Sequence, residues 1–153
     1  MFNKILPGLV LALAVAGNLY ADGGGGDGGY SGVKVAPEYK KAVKAIKKED
    51  YAQAIDLLQT VIDDDPEDAN AWNYLGYSLR KQGRFDEALI AYQKALAIKP
   101  RHKGALEYLG ELYLQTDQPE KARAQLEKLD KACFFSCKEY RMLKEKIAQY
   151  DAS

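Results

Sequence analysis

The sequence repeats itself with a period of 34 residues. Proline recurs at Pro66 and Pro100, and alanine recurs at Ala54, Ala88 and Ala122. Within each period, large apolar residues follow one another at spacings of three and four, which is typical of helices with one buried face. A unit of this length cannot bury its apolar face alone, so successive copies are expected to stack into one continuous core. The period therefore predicts an all-α solenoid.

The second copy, residues 69–102, carries the most complete motif. Its motif residues are Trp72, Leu75, Gly76, Leu79, Gly83, Phe85, Ala88, Tyr92, Ala95 and Pro100. This order of an aromatic residue, Leu-Gly, a large apolar residue, and later small, aromatic, small and proline resembles the tetratricopeptide repeat (TPR). The resemblance implies three helix-turn-helix repeats, at 35–68, 69–102 and 103–136, each made of two antiparallel helices.

The flanking copies match the motif less fully. The third has Leu129 where a small residue is usual and Phe134 where the closing proline is expected. The first has Glu38 and Lys41 at core positions, as a terminal repeat should, because its outer face has no neighbour. Residues 137–153 follow with apolar side chains at helical spacing among lysines and glutamates, which predicts an amphipathic capping helix and a tail.

Two glycines lie in the middle of predicted helices. Gly76 and Gly110 each cost about 1 kcal/mol relative to alanine in a helix interior. The resemblance implies that they are tolerated because the paired helix, which carries Ala88 or Ala122, passes close by.

The first 21 residues have the three parts of a secretory signal peptide. Lys4 gives a positive start, an apolar run is densest at residues 9–16, and Ala21 ends the segment. We expect cleavage after Ala21, which would place the protein in the periplasm or outside the cell with no stable membrane insertion. An uncleaved membrane anchor is the alternative. Residues 22–34 are rich in glycine and predict a flexible leader.

Two cysteines lie between the third repeat and the capping helix. In an exported protein, Cys133 and Cys137 predict one disulfide. We expect it to fix the angle at which the capping helix leaves the repeat, with Phe134 and Phe135 packed beneath that helix. A regulatory thiol pair and a metal site are alternatives, but zinc needs about four ligands and His102 is the only histidine.

Composition and charge narrow the function further. The chain has 22 basic and 22 acidic residues, so it lacks the basic excess that is typical of nucleic-acid-binding proteins. No pairing of side chains indicates catalysis, and we predict neither enzymatic activity nor a cofactor or metal site.

The TPR resemblance also implies where binding would occur, because the first helices of successive repeats line a concave groove that holds a protein or peptide. We expect these groove side chains to be accessible, so that truncating Tyr77 or Arg80 should weaken binding without destabilising the fold. By register, the predicted groove residues are Tyr39, Val43, Ile46, Lys47, Asn70, Asn73, Tyr77, Arg80, Lys81, Glu107, Glu111, Leu114 and Gln115.

These observations lead to three hypotheses about function. The first is an exported adaptor or scaffold that holds a protein partner in its groove. The second is a thiol-responsive envelope assembly factor in which the state of Cys133 and Cys137 sets the position of the capping helix. The third is self-association, in which exposed repeat edges stack between chains.

Overall fold

The computed structural model describes residues 36–153, and these residues form seven α-helices without a strand. The predicted signal peptide, at 1–21, and the predicted leader, at 22–34, lie outside the described residues. The helices are α1 (Pro37–Lys47), α2 (Tyr51–Asp64), α3 (Ala69–Lys81), α4 (Phe85–Ile98), α5 (Lys103–Gln115), α6 (Pro119–Ala132) and α7 (Lys138–Asp151).

The helices form three hairpins followed by a cap. The pairs α1/α2, α3/α4 and α5/α6 each pack together, and α2 and α4 also contact the first helix of the next hairpin. Consecutive first helices touch one another, whereas among the described residues no contact joins consecutive second helices. The first helices therefore form the inner, concave layer. The predicted all-α solenoid of three TPR-like hairpins with a C-terminal capping helix is confirmed.

Capping residues and prolines set the helix ends. Pro37 and Pro119 occupy the first helical position of α1 and α6, where no intrahelical N–H bond is lost. The Asp68 carboxylate accepts hydrogen bonds from the first backbone N–H groups of α3. Pro66 and Pro100 each lie two residues beyond the end of a second helix, as predicted.

The turn inside each hairpin repeats the same backbone conformation. Glu49, Gly83 and Asp117, spaced by the 34-residue period, all have a positive φ, at 60°, 77° and 57°. This left-handed region suits glycine and is unfavourable for other residues. All three repeats therefore have the same turn geometry, even where the glycine that favours it is missing.

The two mid-helix glycines make room for large side chains. A Cβ atom at Gly76 would lie 2.7 Å from the fully buried ring of Tyr92, which is on the paired helix α4. A Cβ atom at Gly110 would lie 2.5 Å from Leu143 on the cap. The paired helix was thus predicted correctly for Gly76. At Gly110 the nearest side chain belongs to the capping helix, because α7 lies against α5 and places Leu143 over that glycine.

The capping helix continues the repeat pattern. Leu143 and Ile147 are buried against α5 and α6, and they follow Leu109 and Tyr113 at the 34-residue period. Because α7 packs against both helices of the third hairpin, it occupies the place of the first helix of a fourth repeat. It therefore extends the inner layer as well as closing the core.

The expectation that Phe134 and Phe135 pack beneath the cap is wrong. Their exposed fractions are 92% and 82%. Leu143 and Ile147 occupy the buried side of α7. The two cysteines that flank the phenylalanines turn toward each other, which leaves the residues between them on the outside.

Within residues 36–153, no helix has the length and apolar character needed to cross a membrane.

Candidate partner-binding groove

A buried arginine ties the two central helices of the inner layer together. Arg80, on α3, is 5% exposed, and its guanidinium lies 2.8 Å from the Glu111 carboxylate on α5. A second guanidinium nitrogen donates to the Gln115 side-chain oxygen at 3.1 Å. A charge this deep needs such partners, since an unpaired buried charge is costly.

Tyrosine rings surround this ion pair. The Tyr77 and Tyr108 ring centroids lie 5.0 Å apart, and the guanidinium carbon of Arg80 lies 5.6 Å and 5.8 Å from them. Tyr51 extends the row, 6.2 Å from Tyr77, with the Lys81 ammonium 5.7 Å from its ring. Burial raises the pKa of Tyr77 and Tyr108, so both stay neutral at physiological pH. The centre of the groove is a rigid aromatic and cationic cluster.

Glu107 is a buried carboxyl group beneath the groove. It is 3% exposed, and its Oε1 atom lacks a hydrogen-bond partner in the described part of the chain. Burial, followed by the nearby charges of Glu111 and Glu139, raises its pKa to about 7. The carboxyl group is therefore partly protonated at neutral pH.

His102 has a structural role that the sequence reasoning missed. Its Nδ1 accepts a hydrogen bond from the Ala105 backbone N–H at 3.1 Å and so caps α5, while Nε2 lies 2.8 Å from the Asn70 side-chain oxygen on α3. The two contacts require the tautomer with the proton on Nε2. Burial lowers the pKa of His102, with Lys99 adding to the effect, which favours this neutral form. The signal was present, because His102 lies one period after the cap residue Asp68.

The structure divides the predicted groove residues into accessible and buried sets. Asn73, Arg80 and Glu107 are buried and shape the groove from below. The accessibility expected of Arg80 is therefore wrong, and we now expect its truncation to lower stability, because the change would leave Glu111 without its partner. The predicted residues that remain exposed or half-exposed on the inner layer are Tyr39, Val43, Ile46, Lys47, Asn70, Tyr77, Lys81, Glu111, Leu114 and Gln115.

An open pocket of about 350 Å³ lies at the C-terminal end of this layer, between α5 and α7. Three of its residues, Glu111, Leu114 and Gln115, were predicted. The sequence reasoning missed the α7 wall, although the 34-residue spacing of Leu143 and Ile147 from their counterparts on α5 indicated it. The α7 side chains that complete the pocket are Lys146, Gln149 and Tyr150.

The predicted disulfide partners lie together at the joint between α6 and α7. The Cys133 and Cys137 sulfur atoms are at bonding distance, and their Cα atoms are 5.6 Å apart. Cys133 follows the last residue of α6, and Cys137 precedes the first residue of α7. Over the range 36–153, histidine, cysteine and carboxylate side chains form no group that could hold a metal ion.

Comparison with known families agrees with this architecture. Two family models described as tetratricopeptide repeat match residues 39–102 and 79–147, and together they span all three hairpins and most of the cap. The chain belongs to the tetratricopeptide-repeat family.

Curated TPR relatives match only segments of this chain. The peroxisomal targeting signal receptor of Kluyveromyces lactis is 44% identical over 52 residues, which are 34% of this chain and 9% of the receptor. Protein FlbA of Caulobacter vibrioides is 33% identical over 87 residues, which are 57% of this chain and 15% of FlbA. The chain thus spans a small part of either relative's length.

Solved TPR structures match more of the chain. The first TPR of Spaghetti (RPAP3), bound to the HSP90 peptide SRMEEVD, has a TM-score of 0.67 at 22% identity and covers 76% of this chain and 91% of its own. The translocator chaperone SycD of Yersinia enterocolitica has a TM-score of 0.68 at 15% identity, over 75% and 81%. Both likenesses concern the fold. The CopN–Scc3 complex matches with a TM-score of 0.61 at 26% identity, over 73% and 65%.

Proposed function

We propose that this TPR protein is an adaptor that binds a segment of another protein along its concave face, and that it has no enzymatic activity. The observation that carries the proposal is the open pocket between α5 and α7, which continues an inner layer of tyrosine, lysine and amide side chains. Such side chains combine apolar contact area with hydrogen bonding, as interface hot spots do.

The related proteins support this proposal. The matched curated proteins include a targeting signal receptor, and the matched structures include a TPR bound to a peptide and a translocator chaperone. A receptor, a peptide-bound TPR and a chaperone each engage a peptide or another protein.

The rigidity of the groove adds a physical argument. Arg80, Glu111 and the rings of Tyr77 and Tyr108 hold one another in place. A surface whose side chains are already ordered loses little conformational entropy when a partner binds. The partner segment therefore meets a preformed floor, with the Lys81 and Lys146 side chains free to contact it.

Capture from a cell-envelope fraction, read by mass spectrometry, tests the proposal. The groove variant combines Lys81→Glu with Lys146→Glu, which changes exposed inner-layer charges and leaves Arg80 in place. The control combines Lys94→Glu with Lys121→Glu on α4 and α6, with the same change in net charge. The wild type and the control should capture the same proteins. We expect the groove variant to capture about tenfold less of each. Retention by the groove variant with loss from the control would reject the groove.

The location of the protein is part of the proposal. We infer export to the periplasm or the cell exterior from the charged, apolar and small-residue segments of residues 1–21. The envelope fraction is therefore the appropriate source of partners. Self-association through exposed repeat edges is a further candidate, and light scattering at several protein concentrations would detect it.

A second candidate function rests on the joint between α6 and α7. The Cys133–Cys137 pair closes that joint, and α7 supplies one wall of the pocket. A thiol-responsive factor would bind its partner in only one of the two redox states. Comparing capture by oxidised protein, reduced protein and the Cys133→Ser/Cys137→Ser variant tests this function, and equal capture by all three would exclude it. Thiol labelling of the native protein under denaturing, non-reducing conditions should find no free thiols.

A further inference from the structure

The loop between α6 and α7 displays two phenylalanines to solvent. Phe134 and Phe135 are 92% and 82% exposed, and their ring centroids lie 4.9 Å apart with the planes almost perpendicular. Among the described residues, the other large apolar side chain in the exposed class is Ile90, at 57%. Apart from Ile90, the described part of the chain covers its other large apolar side chains at least partly. Two adjacent aromatic rings that are left exposed therefore indicate an interaction site.

The loop presents these rings in a fixed form. It is closed at its base by Cys133 and Cys137, whose Cα atoms are 5.6 Å apart. It is also held between the ends of two helices that pack against each other. A closed loop keeps its rings in place before binding, so docking requires little further ordering. The phenylalanines form a convex tip.

Basic side chains surround the tip. The Arg101 guanidinium donates to the backbone carbonyl oxygen of Lys131 at 2.6 Å, which brings the α4–α5 turn beside the end of α6. Asp130 and Glu139 are the acidic neighbours along the chain. The basic side chains on the flanking segments, all exposed, are Arg101, Lys128, Lys131, Lys138 and Arg141.

We propose that this tip is a membrane-docking element. Phe134 and Phe135 insert into the boundary between headgroups and acyl chains of a bilayer that contains anionic phospholipids, and the surrounding lysines and arginines contact the lipid phosphates. Apolar side chains at the interface together with nearby cations are the two components of reversible membrane binding. A fluid bilayer accepts a convex aromatic tip without a matching pocket, whereas a protein partner would have to supply one.

A fluorescence experiment on the full chain tests insertion at the tip itself. Phe135→Trp places an indole at the tip, and Ile90→Trp places a control indole at the other exposed apolar position. Trp72 contributes the same background to both variants. With vesicles of three parts brominated phosphatidylcholine to one part phosphatidylglycerol, we expect a blue shift and quenching for Phe135→Trp and not for Ile90→Trp. This difference isolates the tip from any membrane contact made by residues 1–35.

Charge and lipid variants complete the test. Vesicles of brominated phosphatidylcholine alone, or Lys131→Gln with Lys138→Gln in the Phe135→Trp background, should lower the fraction of quenched protein by about tenfold. Thermal unfolding of every variant should match the wild type, because all the changed side chains are exposed. Equal quenching of the two indoles, or quenching that does not depend on the anionic lipid, overturns the proposal. If the indole at the tip is not quenched, the proposal is also overturned. The phenylalanines would then insert into a pocket of a partner protein instead of a bilayer.

Discussion

At the scale of single residues, the inner layer combines two kinds of polar side chain that look alike in the sequence. Lys81 is exposed and available to a partner, whereas its neighbour Arg80 is buried in an ion pair with Glu111. The register of the repeat places both on the inner layer. Burial separates them, because only Arg80 has both a carboxylate, that of Glu111, and an aromatic ring, that of Tyr108, within reach on the adjacent helix α5.

Gly76 should be a position at which one added methyl group is damaging. We expect Gly76→Ala to lower the free energy of unfolding by about 2 kcal/mol, because the new Cβ atom would overlap the buried Tyr92 ring. Chemical denaturation measures the change. In a Tyr92→Leu background the clash is relieved, so the cost of Gly76→Ala should fall by at least half. An unchanged cost in that background would show that the ring is not the cause.

Glu107 should make stability depend on pH. Its folded pKa of about 7 lies above the ordinary value of 4.5, so the folded protein loses stability as pH rises from about 4.5 through 7. Glu107→Gln should therefore raise the free energy of unfolding by about 2 kcal/mol at pH 8 and have little effect at pH 5. Denaturation of both proteins across this range checks the prediction.

Two other groups help to interpret the pH experiment. His102 has a lowered pKa, so its contribution is lost as pH falls below about 6.5, the opposite direction, and it cancels when variant and wild type are compared. Glu111→Gln is the matched control, and it should destabilise the protein because it weakens the ion pair with Arg80. A Glu107→Gln variant with the same gain at both pH values would contradict the assigned ionisation.

At the scale of elements, each hairpin depends on the geometry of its turn. The second residue before α2, α4 and α6 adopts a left-handed conformation in all three copies, although only Gly83 is a glycine. The α4–α5 connection is tied to the end of α6 by the hydrogen bond from Arg101 to the Lys131 backbone oxygen. Turns and connections therefore carry part of the specificity of the fold.

Glu49→Gly should stabilise the first hairpin. Glu49 has a φ of 60° and is exposed, so glycine would relieve backbone strain without loss of packing. We expect the free energy of unfolding to rise by about 0.5–1 kcal/mol. Lys48→Gly is the matched control, because Lys48 is also exposed but has a φ of −95°, and it should be neutral or destabilising. A gain in both variants, measured by thermal denaturation, would point to a cause other than φ.

At the scale of the whole molecule, the chain builds one inner layer from four helices that are far apart in sequence. The first helices of the three hairpins and α7 lie side by side, so the layer runs from Tyr39 to Tyr150. Each repeat contacts only its neighbours, so the length of the layer is set by the number of copies.

The mature protein should begin after the predicted signal peptide. We expect the intact mass of exported protein to match a chain that starts at Asp22, because a charged start, an apolar run and a small residue precede it. Mass spectrometry of protein recovered from the cell envelope measures this directly. A membrane-retained chain that keeps Met1 would show that the segment is an anchor.

The sequence by itself determined the fold class, the three hairpins, the capping helix and the helices that line the concave layer. A 34-residue period fixes which positions face the core, and stacking of identical units leaves few other arrangements. The period also indicates the His102 cap and the α7 wall. His102 lies 34 residues after Asp68, and Leu143 of α7 lies 34 residues after Leu109.

Only the tertiary structure decided which polar groups are accessible and which large side chains are not covered. The burial of a side chain depends on which side chains of the adjacent helix lie next to it. The 34-residue period does not determine those neighbours. The Arg80 ion pair, the raised pKa of Glu107 and the contact of Gly110 with Leu143 all arise between helices. Phe134 and Phe135 are outside because Leu143 and Ile147 occupy the buried face of α7, whereas the two rings belong to the loop that precedes this helix.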